Sequence, residues 1–201
     1  MSDTPTTSRA AIEAAFTTFP RIETPRLILR RIEQRDAEAL FPVFSDEQVM
    51  EFYGNPVHRA LADTQEQIRM LDHWYAQREG IRWGIARKDH AGDPGEILIG
   101  SCGFYLFDEA FQRAETGYEL RRDHWRQGIM REAMSAALTF AFTTMALHRV
   151  EAVVDDGNEP SQGLLHALGF THEGRLRQRF FYRDRFWDEH YFGLLADEWK
   201  G

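Results

Sequence analysis

A single cysteine, Cys102, stands in 201 residues, which excludes an internal disulfide. It lies in the apolar run Ile97 to Tyr105, a setting that suits a buried thiol in a strand rather than a nucleophile. No apolar run approaches the roughly 18 residues that a membrane-spanning helix needs. A basic-then-apolar secretory pattern is also missing from the first residues, so the expected location is cytoplasmic. The eight histidines are scattered without ligand spacing, and no metal is expected. Neither an internal repeat nor a low-complexity linker interrupts the chain. Positive charge is in deficit: 24 Lys and Arg stand against 32 Asp and Glu, for a formal charge of -8. That argues against direct nucleic-acid binding, where phosphate contacts dominate affinity. An acidic surface attracts cationic partners, such as basic peptides, polyamines or aminoglycosides. It also serves simply to keep a protein soluble.

What is present suits one globular domain with a substantial core. Hydrophobic residues make up 43% and charged residues 28%, an ordinary balance for such a domain. Fifteen Phe and five Trp point to aromatic packing or an aromatic-lined cleft. Residues 1–20 read as an N-terminal extension, either a short helix outside the main fold or a loose arm, and 21–201 as the domain. Alternation over Arg26 to Ile32 predicts a strand. Helical patterns follow from Asp36, from Asp46 to Tyr53 with Asp46 as cap, and from Thr64, again a cap, to about Glu79. Trp83 to Arg87 and Ile97 to Tyr105 read as a hairpin around the turn-rich Asp89 to Gly95. Ala114 to Leu120 is a further strand, and a long helix runs from about Gln127 to Thr144. Arg149 to Val154 reads as a buried strand, and Ser161 to Leu168 as a short helix stopped by Gly169. Phe170 to Phe181 and Arg185 to Leu195 close the chain as two strands. The order predicts a mixed α/β domain around one central sheet.

The most informative stretch is Gly117 to Ala133, a strand, a polar turn and the start of a helix. Backbone N–H groups in a first helical turn have no partner inside the helix and lie at the positive end of its dipole. An anion, above all a phosphate, is their natural ligand. Gly128, with no Cβ, lets a bulky group approach the backbone, and Arg126 and Arg131 add full charges beside it.

The element order and several short motifs resemble the GCN5-related N-acetyltransferase (GNAT) superfamily, and more narrowly its RimJ/RimL-type group, over about residues 20–199. Trp125, Gly128 and Met130 occupy the acetyl-CoA loop positions. They depart from the superfamily's general pattern but match the group's aromatic-x-Gln-Gly-x-Met form. Asn158-Glu159-Pro160-Ser161 and Leu168-Gly169-Phe170-Thr171-His172-Glu173-Gly174 match its Asn-x-x-Ser and Leu-Gly-Phe-x-x-Glu-Gly patterns, continued by Leu176-Arg177 and Asp188. Ala114-Glu115-Thr116-Gly117-Tyr118 and Thr24-Pro25-Arg26-Leu27-Ile28-Leu29-Arg30 resemble two of its strands.

The resemblance implies a single domain with a mixed, mostly antiparallel sheet, flanking helices, and one strand pair that splays apart, usually at a bulge. It implies acetyl-CoA as co-substrate. The arm of that molecule would lie along the backbone of Tyr118, Glu119 and Leu120. Its pyrophosphate would lie on the amides of Arg126, Gln127, Gly128, Ile129, Met130 and Arg131. Asn158 would bond the pantetheine amides, or else serve only as a turn residue. The implied chemistry is direct attack of a primary amine on the thioester, with a base to take the ammonium proton. The acceptor would be a protein N-terminus of ribosomal-protein type or, alternatively, a polyamine or aminoglycoside. A non-catalytic acyl-CoA-binding module is the third reading, and either monomer or homodimer is compatible.

Many relatives carry a tyrosine seven residues after the motif asparagine, where this chain has Leu165. Ser161 is the group's other candidate to assist the departing thiolate, or it is the helix cap. The carried-over glutamate base falls on Phe180. That leaves Glu115 and Glu119, on one strand face with Gly117, as local candidates, with Glu119 expected nearer the splay. Phe52, Tyr53, Tyr182 and Trp187 would wall the acceptor cleft, or belong to the core.

Overall fold

The computed structural model describes residues 4–88, 96–108, 110 and 112–201, with side chains from residue 10 onward. The expected turn Asp89 to Gly95 lies outside the described residues. Eight strands form one sheet in the order β1 (Ile22–Glu23), β2 (Leu27–Arg31), β3 (Gly80–Arg87), β4 (Leu98–Asp108), β5 (Arg113–Leu120), β6 (Arg149–Asp155), β8 (Arg185–Leu195), β7 (Thr171–Tyr182). Every neighbouring pair is antiparallel except β5 with β6. The helices are α1 (Thr4–Ala15), α2 (Ala37–Phe44), α3 (Leu61–Gln77), α4 (Ile129–Thr143) and α5 (Glu159–Ala167).

Each sheet face buries its own set of apolar side chains. The larger cluster holds Trp83, Phe104, Met134, Leu138, Leu165 and Phe192, so α4 and α5 close one face. The smaller one holds Leu40, Phe44, Met50, Ile68 and Leu98, beneath α2 and α3. Cys102 is fully buried in β4, and burial pushes its thiol up to about 12, as the strand pattern implied.

Three local expectations are corrected. The first is the N-terminal segment: a short helix forms there, as expected, but neither outside the fold nor as a loose arm, since Ile12 and Ala15 are buried in the larger cluster with Phe16 and Phe19 packed beside them. Trp83 Nε1 donates to Pro20 O at 2.7 Å and ties the following loop to the sheet. Second, Asp46 to Tyr53 is a series of turns rather than a helix. Asp46 accepts from Gln48 N at 2.9 Å, and fully buried Met50 draws the segment into the smaller core. Third, α3 begins earlier than Thr64, because Asp63 accepts from the N–H groups of Arg59 and Ala60 at 2.8 and 2.9 Å. Thr64 lies inside the helix, fully buried against His58 Nδ1 at 2.9 Å.

Candidate active site

The parallel pair β5 and β6 is joined over only three registers, Arg113–Arg149, Ala114–Val150 and Glu115–Glu151. Past that point Thr116 to Leu120 stay paired with β4, while Ala152 to Asp155 stay paired with β8. The two strands therefore part, and a gap opens that is closed at Glu115 and Glu151 and open toward the ends of both strands. No register shift marks the parting itself. The irregularity lies instead on the other side of β5, between Tyr105 and Asp108, where Leu106 has φ 51°.

At the open end, β5 runs into a single 3-10 turn, Arg122–His124, and then α4. Trp125 Nε1 donates to Leu120 O at 2.7 Å, closing the turn against the strand end. Gly128 is the N-cap of α4, with φ 71°. A side chain there would be strained, and its Cβ would stand 3.5 Å from Arg26 Nη2. The helix therefore starts two residues later than Gln127. Its first bond is Glu132 N to Gly128 O at 3.1 Å, which leaves the N–H groups of Ile129, Met130 and Arg131 without helical acceptors. The Ile129 side chain is buried in the core and that of Met130 packs against it, so these two residues offer backbone only. Arg26 braces the turn, donating to Gln127 O at 3.0 Å and to Glu132 at 2.5 Å. Gln127 is also held through its side chain, by Arg87 at 3.2 Å and Asp123 O at 2.9 Å. Arg126 and Arg131 are exposed, and among the described residues neither has an acidic partner. The turn thus combines free amide donors with two uncompensated cations.

Along β5, Glu115, Gly117 and Glu119 share one face, as their spacing required, but their surroundings differ. Glu119 is locked: its carboxylate takes short contacts from Arg82 Nη2 and Ser101 Oγ. The Arg82 and Glu119 side chains are 10% and 2% exposed. Burial alone would lower the Arg82 guanidinium, but the charge of Glu119 outweighs it and raises it. The hydroxyl of Tyr53 is raised by burial and by the same carboxylate. Glu115, at the closed end, has no cation partner among the described residues. It accepts from Tyr105 Oη at 2.9 Å. Burial, followed by the charges of Glu151 and Glu189, holds its carboxyl above the usual range, against the pull of the Tyr105 hydrogen bond. Glu119 thus lies on the parted stretch of β5, nearer the open gap than Glu115, but it is the carboxylate that carries a cation.

Register places Asp155 opposite Glu189 on this same face, with Tyr191 opposite Val153. Burial and Glu189 push the Asp155 carboxyl up. Among the described residues no Lys or Arg pairs with Glu115, Asp155 or Glu189, whereas Glu151 is held by Arg113 and Arg149. Phe52 and Trp187 meet edge-on at 6.0 Å between centroids, and Tyr182 Oη donates to Asn55 O at 2.9 Å. Phe52, Trp187 and Tyr182 thus link the 45–58 segment to the terminal hairpin, while Tyr53 packs against Phe44 of the smaller core.

The second wall of the gap continues from β6 into α5. Asn158, not Ser161, is the N-cap of α5: its Oδ1 accepts from Ser161 N at 3.2 Å. Pro160 in the first helical turn suits that start. The capping role expected of Ser161 is thus removed, and its hydroxyl meets Tyr118 Oη at 2.7 Å across the gap. Tyr118 was expected to contribute backbone alone, and no motif spacing flags its side chain. Burial pushes its phenol up to about 12, against the Ser161 hydrogen bond. Leu165, at the relatives' tyrosine position, is fully buried in the core. Arg82 likewise carries no sequence signal; only the register of β3, β4 and β5 sets it beside Glu119. Among the described residues no group of His, Cys, Asp or Glu is arranged to hold a metal ion, and no helix is long and apolar enough to cross a membrane.

The family model described as acetyltransferase (GNAT) domain matches residues 26–171, which span both walls of the gap and the Gly128 turn. The chain belongs to the GNAT acetyltransferase family. It is 37% identical to the uncharacterized N-acetyltransferase YoaA of Bacillus subtilis, over 88% of this chain and 97% of the relative. It is 26% identical to the ribosomal protein uS5-alanine N-acetyltransferase of Escherichia coli, over 89% of this chain and 92% of that protein. Among solved structures, Mycobacterium smegmatis RimJ in complex with CoA-disulfide superposes with a TM-score of 0.76 at 22% identity, covering 86% of this chain and 83% of that one. This GNAT chain is accordingly an N-acetyltransferase with the single α/β domain expected of it, and acetyltransferases of this fold use acetyl-CoA.

Proposed function

We propose that the chain transfers acetyl from acetyl-CoA to the primary amine of a protein N-terminus, within a ternary complex held in the gap between β5 and β6. The observation that carries this reading is the parting of the two strands between a closed end at Glu115 and an anion-suited turn at Gly128. The structure fits the co-substrate on its own terms. The amides of Gly128 to Arg131, with Arg126 and Arg131, suit a pyrophosphate, with Gln127 steadying the turn. The backbone of Tyr118, Glu119 and Leu120 borders the gap and suits an extended arm carrying amides. Asn158 has its carbonyl committed to the cap, so its Nδ2 is left to donate to one pantetheine carbonyl. With the pyrophosphate at the open end, the thioester belongs toward the closed end, beside Ser161 and Glu115.

Acetyl-CoA supplies an activated acyl group with a thiolate leaving group. The chain's own residues do the rest. Glu115 is the base: its raised affinity for a proton suits it to take one from an ammonium, directly or through water. Glu119, neutralised by Arg82, holds the strand and is no base. Ser161 Oγ, which meets Tyr118 across the gap, is the donor in this reading for the departing sulfur. Asp155 and Glu189, without a Lys or Arg partner among the described residues, give the acceptor side a negative field that draws in a cationic amine. The relative that acts on a ribosomal-protein alanine supports a protein N-terminus as acceptor. The same acidic row favours a second reading, a polyamine-like small amine.

The test is transfer of labelled acetyl from acetyl-CoA into a host lysate separated by size. Label in one or a few proteins, on the N-terminal residue by mass, supports the first reading. Label in small molecules alone replaces it with the second. Tight acetyl-CoA binding with no label in either fraction refutes both and leaves a binding module.

A further inference from the structure

We propose that Tyr118 is a positioning residue for thiolate departure: its phenol donates to Ser161 Oγ and so turns the serine hydroxyl proton toward the sulfur. The proposal rests on the acetyl-transfer reading above. Leu165 is fully buried and α5 contains no tyrosine, so α5 supplies no phenol to the gap. Strand β5 supplies one from the opposite wall, 2.7 Å from Ser161 Oγ. Among the described residues this is the only hydrogen-bond partner of either hydroxyl. A serine hydroxyl is a free rotor with one proton and two lone pairs. If Ser161 accepts from Tyr118, its own proton must point elsewhere, and the gap is the direction left by the capped backbone of α5.

A phenol is a stronger acid than an aliphatic alcohol, so Tyr118 is taken as the donor of this pair. The phenol is pushed up to about 12 by burial, well above a thiol of about 8.5. It therefore keeps its proton throughout. As the amine nitrogen bonds to the carbonyl carbon, the C–S bond breaks and its electron pair stays on sulfur. Glu115 takes one ammonium proton before attack, and the second N–H proton passes to water as the adduct collapses to the amide. Sulfur receives a hydrogen bond from Ser161, with no proton transferred, and CoA leaves as a thiolate that later takes a proton from water. A hydrogen bond made to the thiolate and not to the thioester acts on the transition state selectively.

The experiment has an equilibrium arm and a kinetic arm. In the first, the thiolate ultraviolet absorbance of bound CoA is titrated with pH. The bound thiol should be more acidic than free CoA, and Tyr118→Phe should shift its titration upward by about one unit, a loss of about tenfold in thiolate stabilisation. In the second, Tyr118→Phe should lower kcat about tenfold with the KM for acetyl-CoA unchanged. The same change should have no effect in a Ser161→Ala background and should reappear with Ser161→Thr, which keeps the hydroxyl. An unshifted thiol titration, or equal Tyr118→Phe losses with Ser161 intact and in the Ser161→Ala background, overturns the positioning role while acetyl transfer stands. Absence of transfer by the unaltered enzyme to any amine overturns the underlying reading instead.

Discussion

Replacing Arg82 by Met tests the internal electrostatics of the site. Met keeps most of the aliphatic volume and deletes the guanidinium. Glu119, 2% exposed, is then left with Ser101 and Tyr53 but no cation. Breaking a buried pair from one side typically costs about 3–5 kcal/mol, because the remaining charge has lost both water and partner. For a chain of 201 residues that corresponds to a fall in Tm of roughly 6–20 °C. Urea denaturation of Arg82→Met, Glu119→Leu and the double variant measures it. Each single change should be strongly destabilising and the double should recover more than half of the summed loss, since an apolar pair of similar volume replaces the ions. A loss below about 1 kcal/mol in Arg82→Met would show that water reaches Glu119, and the view of it as a locked structural carboxylate would fall.

Glu115→Gln should lower kcat by about 10²–10⁴-fold and remove the rising limb of the rate with pH, whereas Glu119→Gln keeps that limb. That limb should lie above the usual carboxylate range, since the base works ionised and its carboxyl is held up by burial and by Glu151 and Glu189. The same raised carboxyl destabilises the fold only where it is ionised, so Glu115→Gln should raise Tm at neutral pH and leave it unchanged below about pH 4.3. Changing Arg126 and Arg131 together to Ala should weaken acetyl-CoA binding about 3–10-fold at low salt and less at high salt, measured by calorimetry, because both cations are exposed and screened. Leu165→Tyr should restore no catalytic power and should lower stability by about 1–3 kcal/mol in denaturation, because the side chain fills a closed core site rather than facing the gap.

Most of the element order was legible in the residues themselves, since alternation and helical spacing report which face of a segment is buried. The strands from Arg26, Trp83, Ile97, Ala114, Arg149, Phe170 and Arg185 all form within a few residues of their patterns. Gly128 and Gly169 were legible too, because each holds the left-handed conformation that its turn needs, with φ 71° and 92°. The anion-suited turn followed from chain order alone, as backbone amides at a helix start need no distant partner. Where a pattern failed, a contact from far along the chain had overridden it. Met50 pulls a helical stretch into turns, and Ile12 draws the N-terminal helix onto the core.

The chemistry of individual side chains belongs to the tertiary structure. Glu115 and Glu119 are the same residue type on one strand face, four positions apart. Only the register of β3 and β4 brings Arg82 and Ser101 to the second and leaves the first without a cation. Ser161 and Tyr118 are 43 residues apart in sequence. Their hydrogen bond exists because β5 and β6 part after three paired residues, so that a strand and a helix face one another across the opening. Local sequence determined which backbone amides are free. Long-range packing decided which carboxylate is neutralised, which is left without a cation among the described residues, and which hydroxyls meet across the gap, because a charge or a donor is set by what the fold places within a few ångströms of it.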